Sequence, residues 1–325
     1  MGLVKKLLAK QPASQGLRNF LYAWGINSVG QLGDGTTTTR SSPVQIGTSS
    51  WTSVAAGASH TLAIRSDNLL FAWGSNGNGQ LGNQDTYFNP GSYSVTNFSW
   101  TVIASNAFTS LAIRNDGLLF AWGRNNNGDL GDGTTITRSS PVQIGTSSWS
   151  AIGIRRYGSS GITSDGRLFS WGNNNYGQLG DGTTTERLSP VQIGTSSWTA
   201  IACGTRHTLA IRLGGSLFVW GGGSNGQLGT GNTGNYSSPV QIGTSSWTAV
   251  AAGSVHSLAI RSGGSLFAWG NNSFGQLGTG TTGDYSIPVQ IGSSSWTAVA
   301  AGNVHSLAIR SGAVCLPGAE IILVN

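Results

Sequence analysis

The sequence predicts an all-β chain, a single β-propeller of four-stranded blades. Three observations predict it. Twelve tryptophans fall into two series, Trp24 to Trp269 and Trp51 to Trp296, each with a constant spacing of 49 residues. Glycine supplies 51 of 325 residues, well above the average near 7%. No stretch long enough for a helix carries a 3.6-residue apolar period. Four-stranded units repeating every 40–50 residues are the signature of a propeller.

Each repeat divides into four strands. In the fifth, residues 246–253 (SWTAVAAG) form the first and 256–261 (HSLAIR) the second. Residues 265–270 (SLFAWG) form the third and 288–292 (PVQIG) the fourth. β-Branched and aromatic residues alternate with small ones and are bounded by Gly, Ser and Asn. Ser262-Gly263-Gly264 and Asn115-Asp116-Gly117 supply the turn between the second and third strands. A long Gly-, Asn- and Thr-rich loop joins the third to the fourth. The Ala-Ala-Gly of the first strand (Ala55-Ala56-Gly57, Ala251-Ala252-Gly253) suits the narrow inner edge of a blade.

The repeat count sets the closure. Residues 295–310 contain a first and a second strand only, and residues 20–47 contain a third and a fourth. Five whole blades and one assembled from both termini make six, and pairing the N- and C-terminal strands closes the ring and removes its edges. The chain thus divides into a basic tail or docking peg (1–19), a propeller (20–312) and a C-terminal tail (313–325).

Two recurring strings carry a family resemblance. One is GxNxxGQLG, at 25–33, 74–82, 172–180 and 270–278; the other is VAAGASHTLAI (54–64), repeated with variation at 201–211, 250–260 and 299–309. In these the chain resembles the regulator of chromosome condensation repeat family over residues 20–312. The resemblance implies a propeller, usually of seven blades, so seven blades is the alternative to six. It also implies structural histidines packed between strands, and it brings nucleotide exchange on a small GTPase as the family's best-known activity.

The charge is uneven. Lys5, Lys6, Lys10 and Arg18 give the first nineteen residues +4, whereas the body carries thirteen Arg against ten acids. The clustered basic face needed for nucleic acid is missing, so nucleic acid is not an expected partner. No apolar run approaches a membrane span. The N-terminus lacks the apolar core of a signal peptide. Leu3, Val4, Leu7 and Leu8 share one helical face there, which makes a short docking peg.

The repeat shows no catalytic constellation, metal set or cofactor motif. His60, His207, His256 and His305 occupy one position of the repeat, too far apart around a ring to share an ion. They are expected to be structural. Asp34, Asp132 and Asp181 belong to Asp-Gly-Thr turns. Cys203 replaces an Ala in a first strand and reads as a small hydrophobe.

Breaks in the repeat mark the candidate binding face. Residues 103–113 (IASNAFTSLAI) and 152–162 (IGIRRYGSSGI) lack the His, and residues 83–98 replace a Thr-rich loop with an aromatic one. Tyr87, Phe88, Tyr93, Phe98, Phe108, Arg155, Arg156 and Tyr157 are the residues introduced. Up-down topology places long loops and first-to-second turns on one face, and Tyr, Phe and Arg are hot-spot residue types. The expected function is a non-catalytic interaction or structural module. Its partner is a protein or larger assembly, such as a virion bearing this chain on its surface, with a surface glycan as a second candidate. The alternatives are a GTPase exchange factor and a propeller-face enzyme inhibitor.

Overall fold

The computed structural model describes residues 18–311. These fall into two compact units that divide between Ser150 and Ala151. The peg residues Leu3, Val4, Leu7 and Leu8, and Cys315 in the tail, lie outside the described residues.

The first unit is built from β1 (Tyr22–Gly25), β2 (Arg40–Gln45), β3 (Trp51–Ala56), β4 (His60–Arg65), β5 (Leu69–Gly74), β6 (Asn89–Ser105), β7 (Thr109–Arg114) and β8 (Leu118–Gly123). β9 (Arg138–Arg155) crosses the division. The second unit continues with β10 (Gly158–Thr163), β11 (Leu168–Gly172), β12 (Arg187–Gln192), β13 (Trp198–Cys203), β14 (His207–Arg212), β15 (Ser216–Gly221) and β16 (Tyr236–Ala252). β17 (His256–Arg261), β18 (Leu266–Gly270), β19 (Tyr285–Gln290), β20 (Trp296–Ala301) and β21 (Ser306–Arg310) complete it. Among the described residues every element is a strand, and the fold is that of antiparallel propeller blades.

The register repeats as the sequence does. The second strand meets the third at His60↔Gly74, Thr109↔Gly123, Gly158↔Gly172, His207↔Gly221 and His256↔Gly270. One arrangement departs from four separate strands per blade. β6, β9 and β16 each run unbroken from the fourth strand of one blade to the first of the next. Gly145 and Gly243 still take left-handed φ angles of 61° and 58°, so β9 and β16 turn within their length. The terminal pairs β1–β2 and β20–β21 are each two-stranded sheets. Closure of the ring by pairing the chain ends is therefore not shown by the described strand pairs and stays an expectation of the repeat count.

Tryptophan fills the blades. Trp73, Trp122, Trp171, Trp220 and Trp269 of the third strands are almost fully buried. The first-strand Trp51, Trp198 and Trp247 pack edge-on against them, as Trp198 does on Phe218 and Trp220 with centroids 5.6 and 6.0 Å apart. Small first-strand residues such as Ala55, Ala202 and Ala252 leave room for these rings.

Polar groups link one blade to the next. The Trp122 indole N–H donates to the Gln80 carbonyl over 2.9 Å, and Ser110 Oγ donates to the same oxygen over 2.7 Å. Trp269 and Ser257 repeat this on Gln227. His60 Nε2 lies 3.0 Å from Ser110 Oγ. That hydroxyl has already given its single proton to Gln80, so His60 Nε2 must be the protonated nitrogen. His207–Ser257 and His256–Ser306 repeat the contact at 2.9 and 3.0 Å. A Cβ on Gly57 would lie 2.3 Å from the His60 ring, so the glycine three residues earlier is what admits the imidazole.

Candidate interaction face

The strand register decides which end of a blade each candidate occupies. Gly74 pairs with both His60 and Asn89, so the long loop ending at Phe88 opens at the same end as the first-to-second turn. Tyr87 and Phe88 sit on that loop, 79% and 53% exposed. Phe108 immediately precedes Thr109, so it occupies the same end in the next blade.

The loop is fixed by one buried amide. Asn76 Nδ2 donates to Asn83 Oδ1, Asp85 O and Asp85 Oδ1 at 2.8, 3.0 and 2.7 Å. Asp85 Oδ1 also accepts from the Tyr87 backbone N–H at 3.1 Å. Gln84 adopts a φ of 71°, the left-handed conformation that Gly35 supplies in the first repeat. A non-glycine residue there stores about 1–3 kcal/mol of strain, so the surrounding bonds must hold it. The ordinary repeats use the same device. Asn174 Nδ2 donates to Asp181 Oδ1, Thr183 O and Thr185 O at 3.0–3.1 Å, and its Oδ1 accepts from Leu179 N. Sequence reading did not single out these asparagines, although their signal was present in GxN at fixed spacing.

Several candidates lie elsewhere. Arg155 is 1% exposed and does not face solvent. Its Nη1 donates to Gln178 O at 2.6 Å and Thr208 Oγ1 at 3.1 Å, and its Nη2 donates to Ser160 Oγ. The reason lies three residues on, where Gly158 replaces the histidine and vacates the space the guanidinium fills. Tyr93 and Phe98 are not in the loop, because β6 has begun by then. Tyr93 is half-buried beside the first unit's core and donates its hydroxyl proton to Leu81 O at 2.7 Å. Phe98 lies at the opposite end of the blade, with the Arg114 guanidinium 5.0 Å from its ring. His305 is exposed, unlike His60, His207 and His256.

The remaining candidates form aromatic–cation pairs. In the first unit Arg124 stacks on Phe108 at 4.6 Å. In the second Arg156 lies over Tyr157 at 5.2 Å and Arg206 over Tyr176 at 4.5 Å. Such pairs present flat apolar surface with a charge attached.

The titratable groups serve the blades. Burial lowers His60 to about 4 and His207 to about 3, so both rings are neutral at pH 7. Asp34 resists its own desolvation because Thr36 and Arg40 hydrogen-bond it, and its pKa falls to about 2. Among the described residues no group of three or more His, Cys, Asp or Glu could hold a metal ion.

The family model "Regulator of chromosome condensation (RCC1) repeat" matches residues 19–64, 116–152, 165–211, 214–260 and 263–309. The chain belongs to the RCC1 repeat family. A second RCC1 model matches residues 51–80, 100–129, 198–227 and 247–276. The first model skips 65–115 and 153–164, the stretches in which the aromatic loop and the Arg155–Gly158 replacement fall. No curated protein sequence matches the chain. Among solved structures, human WBSCR16 is 24% identical with a TM-score of 0.79, covering 90% of this chain and 82% of that one. Yeast RCC1 (Prp20), solved with Kap60, is 21% identical with a TM-score of 0.76, covering 94% and 82%. Prp20p from Saccharomyces cerevisiae is 17% identical with a TM-score of 0.54, covering 92% and 93%. At these identities the RCC1 likeness speaks to fold.

Proposed function

We infer that this chain is a non-catalytic protein-interaction module. It takes its partner at the long-loop end of the blades in the first unit. Tyr87 and Phe88 are the apolar anchors, with Phe108 and Arg124 at the same end of the next blade. The observation carrying this reading is two large aromatics exposed on a loop whose backbone is pinned by Asn76 and Asp85. Exposed rings on a preorganised support lose little entropy on binding. Two structural neighbours support protein binding as a use of the fold: one is solved with Kap60, and the other is described with binding properties to Gsp1p and histones.

The test is affinity capture from the native source with wild type and with a Tyr87→Ser, Phe88→Ser double variant. Loss of a partner from the variant, with unchanged melting, supports the reading. Identical partners for both proteins refute it.

The finer reading is a surface component of a larger particle such as a virion. It rests on a body without lysine and with Glu186 as its single glutamate. Sedimentation of native lysate tests it, because free migration at the 33.5 kDa of the chain excludes particle attachment.

A further inference from the structure

The repeats differ most at one end of the blade. At the other end, the connection from fourth to first strand reads QIGTSSW at 45–51, 143–149, 192–198 and 241–247. By contrast, the last residue of the first-to-second turn is Ser59, Phe108, Tyr157, Arg206, Val255 or Val304. Exposed turn residues escape the packing that keeps the strands alike, and there a repeat protein differentiates its blades.

In the second unit Arg206 is the cation at this position. It is exposed in the turn between β13 and β14, and its guanidinium lies 4.5 Å from the Tyr176 ring of the preceding blade. Gly222 clears room for the pair. A Cβ there would come within 3.3 Å of Arg206 Cβ and 3.6 Å of Tyr176 Cβ. The other repeats carry a side chain at that position, namely Ile26, Ser75, Arg124, Asn173 and Asn271. The turn itself is held, with Gly204 N donating to His207 O at 2.9 Å and Gly222 N to Arg206 O at 2.7 Å. Among the described residues no Asp or Glu pairs with Arg206. Arg167 and Arg187 of the same unit pair with Asp165 and Asp181 at 2.8 and 2.7 Å.

We propose that this surface docks an acidic segment of a protein, with Arg206 taking an Asp or Glu side chain. Stacking covers one face of the guanidinium and leaves its in-plane N–H edge for a carboxylate. The Tyr176 ring holds the side chain before binding, so less rotamer freedom is lost on docking. Beside Arg206, Thr205 Oγ1 and Ser254 Oγ lie 3.0 Å apart and share one hydrogen bond. Two hydroxyls bring two protons, so one proton stays available to a second acceptor. A nucleic-acid strand fits worse. Exposed Glu186 closes the loop that carries Tyr176, and the body lacks the clustered cations that a phosphate backbone needs. The contact is separate from Tyr87 and Phe88 and stands whether or not those rings bind a partner.

The test follows the backbone amide resonances of Tyr176 and Gly222 in ¹H–¹⁵N spectra of the full chain. The probe is a short peptide of Asp, Glu and Gly, titrated at matched ionic strength beside its Asn and Gln counterpart. The expected result is a saturable movement of both amides with the acidic peptide alone. Arg206→Gln weakens binding about fivefold, the upper scale of one exposed ion pair. Gly222→Asn keeps every charge and introduces the residue found at Asn173 and Asn271. It also weakens binding, read at Tyr176, because it crowds the stacked pair. Arg167→Gln, which removes a cation already paired with Asp165 at the opposite end of its blade, leaves binding unchanged. No saturable movement overturns the proposal, as does equal weakening by Arg167→Gln. Wild-type binding by an Arg206→Gln or Gly222→Asn variant that melts like wild type overturns it as well. Tighter binding of a thymidine oligonucleotide than of the peptide replaces the protein partner with a nucleic acid and overturns it too.

Discussion

Arg155 Nη1 stands 3.1 Å from Thr208 Oγ1, making the contact that His60 Nε2 makes with Ser110 Oγ at 3.0 Å. Gly57 and His60 in one repeat have become Arg155 and Gly158 in another. The side chain and the glycine have changed places, and the link to the next blade has survived. What looks in sequence like two losses is one compensated exchange.

The exchange predicts non-additive mutants. Arg155→Gly leaves a void and removes a buried donor, at a cost of about 2–4 kcal/mol. Adding Gly158→His to that variant restores the ordinary pair and recovers part of the loss. Thermal melts of both check this, and a double variant no more stable than the single one contradicts it.

Acid sensitivity follows from the buried histidines. Their native pKa values lie below the ordinary 6.5, at about 4 for His60 and about 3 for His207. Between pH 6.5 and those values the unfolded chain binds protons that the native chain refuses. Stability is thus unaffected above pH 6.5 and falls below it, by about 1.4 kcal/mol per pH unit for each such histidine. Asp34, held at about 2, adds its loss only below 3.8. Urea midpoints at pH 7, 5.5 and 4.5 measure the first window. A His60→Gln variant should show a shallower decline, and an unchanged slope counts against His60.

Loop fixation by asparagine predicts a local effect. Asn174→Ala removes four donations and the acceptor for Leu179 N, costing about 2–4 kcal/mol. The 181–187 segment should become the first site of proteolysis. Cleavage elsewhere first would show that the loop has other support.

The aromatic anchors predict the opposite pattern. Tyr87→Ser with Phe88→Ser removes exposed surface and leaves the melting temperature within about 2 °C of wild type. A larger drop would mean that these rings pack on the blade and are not held out for a partner.

The blades were legible in the sequence because a constant repeat fixes register, and His60, His207 and His256 could be read as packing residues from their shared position. Arg155 was not legible as one of them. An Arg at a turn reads as exposed, and only the space vacated at Gly158 turns it inward. Phe98 groups with Tyr87 in sequence because both belong to the divergent segment 83–98, yet β6 starts at Asn89 and carries Phe98 to the other end.

The bonds between blades run in both directions, but those to the glutamine carbonyls all point one way. In each unit the carbonyl of a glutamine in one repeat accepts from the tryptophan and hydroxyl of the following repeat, as Gln80 does for Trp122 and Gln227 for Trp269. Opening a blade therefore orphans an indole and a hydroxyl downstream, while the imidazole of His60 and the backbone N–H of Gln84, which donate to Ser110 and Ser139, are orphaned upstream. Each blade is a donor to one neighbour's side chains and an acceptor for the other's, so a single opened blade costs both of its neighbours.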